Sequence, residues 1–123
     1  MKCLMLMLFK NSGNKLDYYR QCIEKLLIES GEDPPINGQI EVEFVFDKER
    51  DRYLVIDLGW NEHHRIYNCF IHLDIKDGKI WIQRNQTDRS LADKLVQMGI
   101  SKEEIVLGVQ PPYAREYTGY GVA

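Results

Sequence analysis

Ile71-His72-Leu73-Asp74-Ile75-Lys76-Asp77-Gly78-Lys79-Ile80-Trp81-Ile82-Gln83 decides the fold. Asp77-Gly78 is a two-residue hairpin signal, because a type I′ turn needs positive φ at both central positions and this pair adopts it cheaply. Folded about that turn, Ile75 faces Ile80, Leu73 faces Ile82 and Ile71 faces Arg84. Side chains alternate along a strand. These aliphatic residues therefore lie on one side of a sheet, and Phe70, His72, Asp74, Trp81 and Gln83 lie on the other. The incoming strand is expected over 64–76 and the returning one over 79–84.

Upstream, residues 39–47 alternate, with Ile40, Val42, Phe44 and Phe46 on one face and Glu41, Glu43 and Asp47 on the other, the mark of a strand with one wet face. Residues 48–52 are all charged and form a solvated loop. The next strand, 53–60, is expected to turn Leu54, Ile56, Leu58 and Trp60 inward, and Asn61-Glu62-His63 makes a second turn. Before these, residues 15–30 read as a helix, since Leu16, Tyr19, Ile23, Leu26 and Leu27 recur at helical spacing. Gly31 and Pro34-Pro35 stop it, and Ile36-Asn37-Gly38 is a turn.

Downstream, Asp88 or Ser90 can cap a helix that runs to Met98, buries Leu91, Leu95 and Met98, and ends at Gly99. Residues 101–104 fit a capping box for a short helical turn. Residues 105–108 are apolar and extended. The tail, 111–123, carries Tyr113, Tyr117 and Tyr120 and is expected to dock. The fold class is thus α+β: an N-terminal helix, a four-stranded antiparallel meander sheet, then a C-terminal helix, a short helical turn and an aromatic tail.

At 123 residues the chain fits one domain with a single core, assigned to 15–123. Residues 1–14 read as a poorly ordered extension. The apolar run 3–9 leads into Lys10-Asn11-Ser12-Gly13-Asn14 without a small-x-small cleavage site, so it is no secretory signal, and it is too short to span a membrane. Cys3, Cys22 and Cys69 are widely spaced and odd in number, which fits free thiols in a cytoplasmic protein. Cys22 and Cys69 read as small core residues. A net charge of −3 argues against a dedicated nucleic-acid surface, which would be basic.

No catalytic constellation emerges. Asp74-x-Lys76 is half of a metal-dependent nuclease site, with Asp57 the one further carboxylate that could converge on it. A solvated strand end is the plainer reading. His63, His64 and His72 show no zinc spacing; His63 and His64 point apart, and Cys69 and His72 fall on opposite faces. There is no G-x-S-x-G, P-loop or G-x-G-x-x-G. The sequence therefore predicts a non-enzymatic protein without cofactor, metal or small-molecule substrate. Arg50, Arg52, Arg65 and Lys48 could meet DNA phosphates, but Asp47, Glu49, Asp51 and Glu62 are interleaved with them.

Two surfaces are candidates for binding a partner. One is the sheet face with Phe70, His72, Asp74, Trp81 and Gln83, exposed if the helices cover the aliphatic face and hidden if the tail covers it. The other is Tyr113, Arg115 and Tyr117 in the tail. An apolar sheet face could also pair two copies of the chain.

The hairpin run 71–83 and Ile105-Val106-Leu107-Gly108 together resemble the XisI family, the fdxN element excision controlling factors. Tyr18-Tyr19-Arg20, Val45-Phe46-Asp47-Lys48-Glu49-Arg50-Asp51, and Gly59-Trp60 ahead of Arg65-Ile66-Tyr67 agree with it, so the likeness covers roughly residues 15–123. Gly119 and Gly121 stand where the family usually has less flexible residues. The resemblance implies a cytoplasmic, mainly cyanobacterial accessory of site-specific recombination. It would regulate programmed DNA excision by protein–protein interaction with an XisH-type partner of nuclease-like fold. A direct DNA-binding accessory, or a metal-dependent nuclease using Asp74 and Lys76, is the alternative.

Overall fold

The computed structural model describes residues 14–32 and 39–123. Of the expected extension 1–14, residues 1–13, with Cys3, lie outside the described residues, as do Pro34-Pro35 and the turn at 36–38, while Asn14 leads into the first helix and its carbonyl accepts the Tyr18 amide.

Helix α1, Lys15–Ser30, buries Tyr18, Tyr19, Cys22, Ile23, Leu26 and Leu27, with Leu16 packed at the margin. These positions recur every three or four residues and so form one apolar stripe. Tyr18 and Cys22 widen the stripe read from the sequence. The stripe lies on a five-stranded sheet of order β1-β2-β3-β4-β5. The strands are β1, Ile40–Asp47; β2, Arg52–Asn61; β3, His64–Lys76; β4, Lys79–Asn85; and β5, Ile105–Leu107. The meander of the first four is as expected. The sheet is mixed rather than antiparallel throughout, because β5 pairs parallel to β4, Ile80 against Ile105 and Ile82 against Leu107. The β4 edge would otherwise stand open, and Ile105 and Val106 are fully buried in closing it. A parallel return needs a crossover, and helix α2, Leu91–Gln97, supplies it on the same face as α1.

Three turns bend as their residues allow. Asp77 and Gly78 have φ of 53° and 77°, the type I′ signature, while Asp51 and Glu62 reach 56° and 57° at the ends of the other hairpins. Two β-bulges shift the register. The first lies opposite Val55/Ile56, where Ile71 and Cys69 are the partners and Phe70 is the extra residue. The second lies opposite His72/Leu73, where Arg84 and Ile82 are the partners and Gln83 is extra. Ile71 therefore faces Asn85, and Arg84 faces His72, one step from the uninterrupted ladder expected.

The inward face of β2 also differs. Tyr53 and Val55 are fully buried beneath α1, whereas Leu54, Ile56 and Leu58 lie half-buried on the outer side and Trp60 is exposed. The strand is apolar on both sides, so alternation alone could not choose between them.

Ser90, not Asp88, caps α2 by accepting the Asp93 amide at 3.3 Å. Leu91, Leu95 and Met98 are buried as expected, and Gly99 turns the chain away at φ 96°. The short turn Lys102–Glu104 is 3₁₀, and Ser101 makes no side-chain cap there. The capping box is absent because Glu104 pairs with Lys15 at the start of α1. The tail docks. After the one-turn helix α3, Pro112–Arg115, it bridges Gly121 to Val106, and the Tyr120 hydroxyl donates to Asp93 at 2.7 Å. Among the described residues no helix is long and apolar enough to cross a membrane.

Candidate interaction surface

Helices α1 and α2 cover one face of the sheet; the other carries most of the candidate residues. Asp74 is only 5% exposed there. A buried carboxylate requires partners, and three surround it. His72 Nε2 lies 2.8 Å from Oδ1, Gln83 Nε2 donates to Oδ2 at 3.2 Å, and Arg52 Nε lies 3.6 Å from Oδ1. The bulge at Gln83 helps place that amide beside its β3 neighbour.

Trp81 sits opposite Asp74 and is 9% exposed. The tail covers it. Arg115 of α3 lies 5.1 Å from its ring centroid and Lys76 lies 4.5 Å away, two cation–π contacts on one indole. Its Nε1–H is buried without an acceptor. Phe70 leaves the group: as the bulged residue it packs against the helix-side core. The sheet-face cluster is thus His72, Asp74, Trp81 and Gln83, extended by Arg52, Lys76 and Arg115. On the tail, Tyr113 and Tyr117 are 79% and 81% exposed and flank Arg115 in sequence.

Arg52 was missed as a partner for Asp74 because an unbroken β2–β3 ladder would set it against Leu73. The bulge at Phe70 moves the register by one. The same bulge corrects a second reading. Cys69 faces Ile56 and His72 faces Leu54, so Cys69 and His72 share the outer face. Cys69 is half-buried, with its thiol 3.2 Å from the Ile71 carbonyl, whereas Cys22 is a core residue.

Asp74 and Lys76 do share a face, but Asp57 does not join them. It pairs with Val42 and Asn68 on the helix side, where burial pushes its carboxyl pKa up. Among the described residues no group of three or more His, Cys, Asp or Glu could hold a metal. The basic residues do not gather either. Arg50 pairs with Asp47, Lys48 with Glu24 and Arg52 with Asp74, while Arg65 stacks on Trp60 at the far end of β2.

Fold and surface together define the class: a two-layer α+β domain with helices on one sheet face, and on the other a neutralised carboxylate, a clamped indole and exposed tyrosines. The chain belongs to the XisI family, whose profile, described as XisI protein, matches residues 13–122. A XisI-like protein from Anabaena variabilis superposes with a TM-score of 0.81 at 50% identity, covering 85% of this chain and 96% of its own. The fdxN element excision controlling factor XisI of the same organism superposes with a TM-score of 0.73 at 29% identity, covering 89% and 99%. No curated protein sequence matches the chain.

Proposed function

We propose that this protein is a non-catalytic regulator of programmed DNA excision that docks onto an XisH-type protein of nuclease fold through its tail, with Tyr113, Arg115 and Tyr117 as the contact residues. The observation that carries this is the pairing of two widely exposed tyrosines with an arginine already held over Trp81. Tyrosine and arginine are the residues enriched at interface centres, and an arginine fixed in advance loses less entropy on binding. The name of the Anabaena variabilis relative, a controlling factor for element excision, supports a regulatory role and with it a cytoplasmic one. Asp74 fits a structural part: its oxygens are taken up by Arg52, His72 and Gln83, so it holds the platform beneath the clamp.

The test is co-expression with an XisH-type protein, tagging this chain alone and weighing the product by light scattering. A heteromer is expected, and Arg115→Ala should weaken it by at least about tenfold, in the range of a central interface residue. Absence of any association, or full affinity in an Arg115→Ala, Tyr117→Ala double variant, would overturn the reading.

A further inference from the structure

The outer face of β1, β2 and β3 is separate from the tail surface, and its charges are sorted into columns. On β1 the outward residues are Glu41, Glu43, Val45 and Asp47, with no cation among them. The middle column is β2, where Leu54, Ile56 and Leu58 make a half-buried apolar stripe that ends in Trp60. Beyond it β3 turns outward Arg65, Tyr67, Cys69, His72 and the buried Asp74, whose charge is met by Arg52 at the end of β2, and β4 adds Arg84 across from His72. Glu41, Glu43 and Arg84 are exposed, and none of their side chains has a hydrogen bond or ion pair among the described residues. Helices α1 and α2 pack on the opposite side and α3 lies over Trp81 of β4, which leaves the β2 stripe open. Val45 and Trp60 keep 42% and 49% of their surface open.

We infer that this face binds a second copy of the same chain, sheet against sheet, about a two-fold axis running along β2. Stacked sheets lie about 10 Å apart with their strands near parallel. That axis sets the two apolar stripes against each other. It also lays the acidic β1 column of each copy over β3 of the other, where Glu41 comes level with Tyr67 and Glu43 with Cys69; both glutamates thus fall between Arg65 and His72 of the second copy, with Arg84 one strand beyond, twice in one interface. A two-fold axis across the strands would instead stack β1 on β1 and place glutamate on glutamate. The sorting of charge therefore selects one isologous arrangement and disfavours the other. A basic heterologous partner would suit β1 but would meet like charge at Arg65 and Arg84, which is why a self-complementary occupant fits the whole face.

The experiment needs only this chain, so it stands or falls independently of the XisH-type reading. Sedimentation equilibrium at low salt is expected to give twice the chain mass of 14.5 kDa. The variant Glu41→Arg with Glu43→Arg, and the variant Arg65→Glu with Arg84→Glu, should each weaken self-association by about tenfold or more through like-charge contact. Mixed in equal amounts, the two should pair with each other. Val45→Asp, on the same face, should also dissociate the dimer without a change in circular dichroism. A wild-type chain that stays monomeric at every concentration overturns the inference. So does a dimer indifferent to these substitutions, or a pair of charge variants that fail to associate on mixing.

Discussion

Asp51 shows how much of this fold hangs on single side chains. It sits in the left-handed region at φ 56°, which Asp and Asn tolerate better than most residues. Its carboxylate accepts Arg20 Nε at 2.8 Å, Arg20 Nη2 at 3.2 Å and the Tyr53 hydroxyl at 3.0 Å. The turn between β1 and β2 is thereby tied to α1. The Arg20 hydrogen bond holds the Asp51 carboxyl below its ordinary value of 3.8, against the opposing effect of burial. A depressed folded pKa adds stability that is complete above the unfolded value and is lost as pH falls through the folded one. Asp51→Asn keeps the backbone conformation but loses the charge. We expect it to cost about 1–3 kcal/mol near neutral pH, with the gap to wild type closing as acid protonates Asp51, as read by urea denaturation along a pH series. Asp51→Ala should cost roughly 1 kcal/mol more, because alanine fits the left-handed turn poorly. A gap that stays constant into acid would show that the ion pair contributes nothing. Trp81 behaves in the opposite sense. Its unpaired Nε1–H is already a loss in the folded state, so Trp81→Phe should fall within about 1 kcal/mol of wild type, whereas Trp81→Ala should cost about 3–5 kcal/mol. Equal losses for the two would mean that the indole N–H finds a partner.

At the scale of elements, the decisive addition is β5 and the tail that follows it. Gly121 donates its amide to the Ile105 carbonyl at 2.7 Å, and a Cβ there would lie 2.4 Å from the Glu103 carbonyl oxygen. The absence of a side chain at Gly121 is thus what admits the chain this close. Gly121→Ala should release the tail, costing about 1–3 kcal/mol and making the segment after β5 sensitive to limited proteolysis while the sheet persists. Unchanged protease resistance would show that Glu103 moves aside cheaply. The meander itself was legible in the sequence, because Asp77-Gly78 fixes one turn and the alternation of β1 fixes its faces. Helix α1 was legible from its stripe. Three features were not. The three residues of β5 carry no period that separates a strand from any extended apolar piece. The two bulges have no residue signature, yet they send Phe70 to the core, bring Cys69 to the side of His72 and set Arg52 against Asp74. The buried side of β2 could not be chosen while Tyr53 and Val55 competed with Leu54 and Ile56. Of the candidate surface, membership of His72, Asp74, Trp81 and Gln83 in one face followed from alternation, while the clamp of Arg115 on Trp81 joins residues 34 apart in sequence, a distance no local pattern spans.

Across the whole molecule, stability is unevenly spread. The β2–β3 ladder runs from Arg52/Asp74 to Asn61/His64 with strands on both sides, and its core face lies beneath α1. The tail is held by the Gly121 bridge, the Tyr120–Asp93 hydrogen bond and the Arg115–Trp81 contact. Local openings draw on the free energy of the contacts they break, so the tail should open well below the cost of global unfolding. Native-state hydrogen exchange in low denaturant tests this. The Gly121 amide is expected to exchange through an opening several kcal/mol cheaper than that of the central β2 and β3 amides, and with little dependence on denaturant, since little surface is exposed. That opening uncovers Trp81, so acrylamide quenching of Trp81 in a Trp60→Phe background should rise in step with it. If the Gly121 amide exchanged only with global unfolding, the tail would be part of the cooperative core. A partner gripping Tyr113 and Tyr117 would then dock on a rigid ledge, with no strap to lift from the indole beneath.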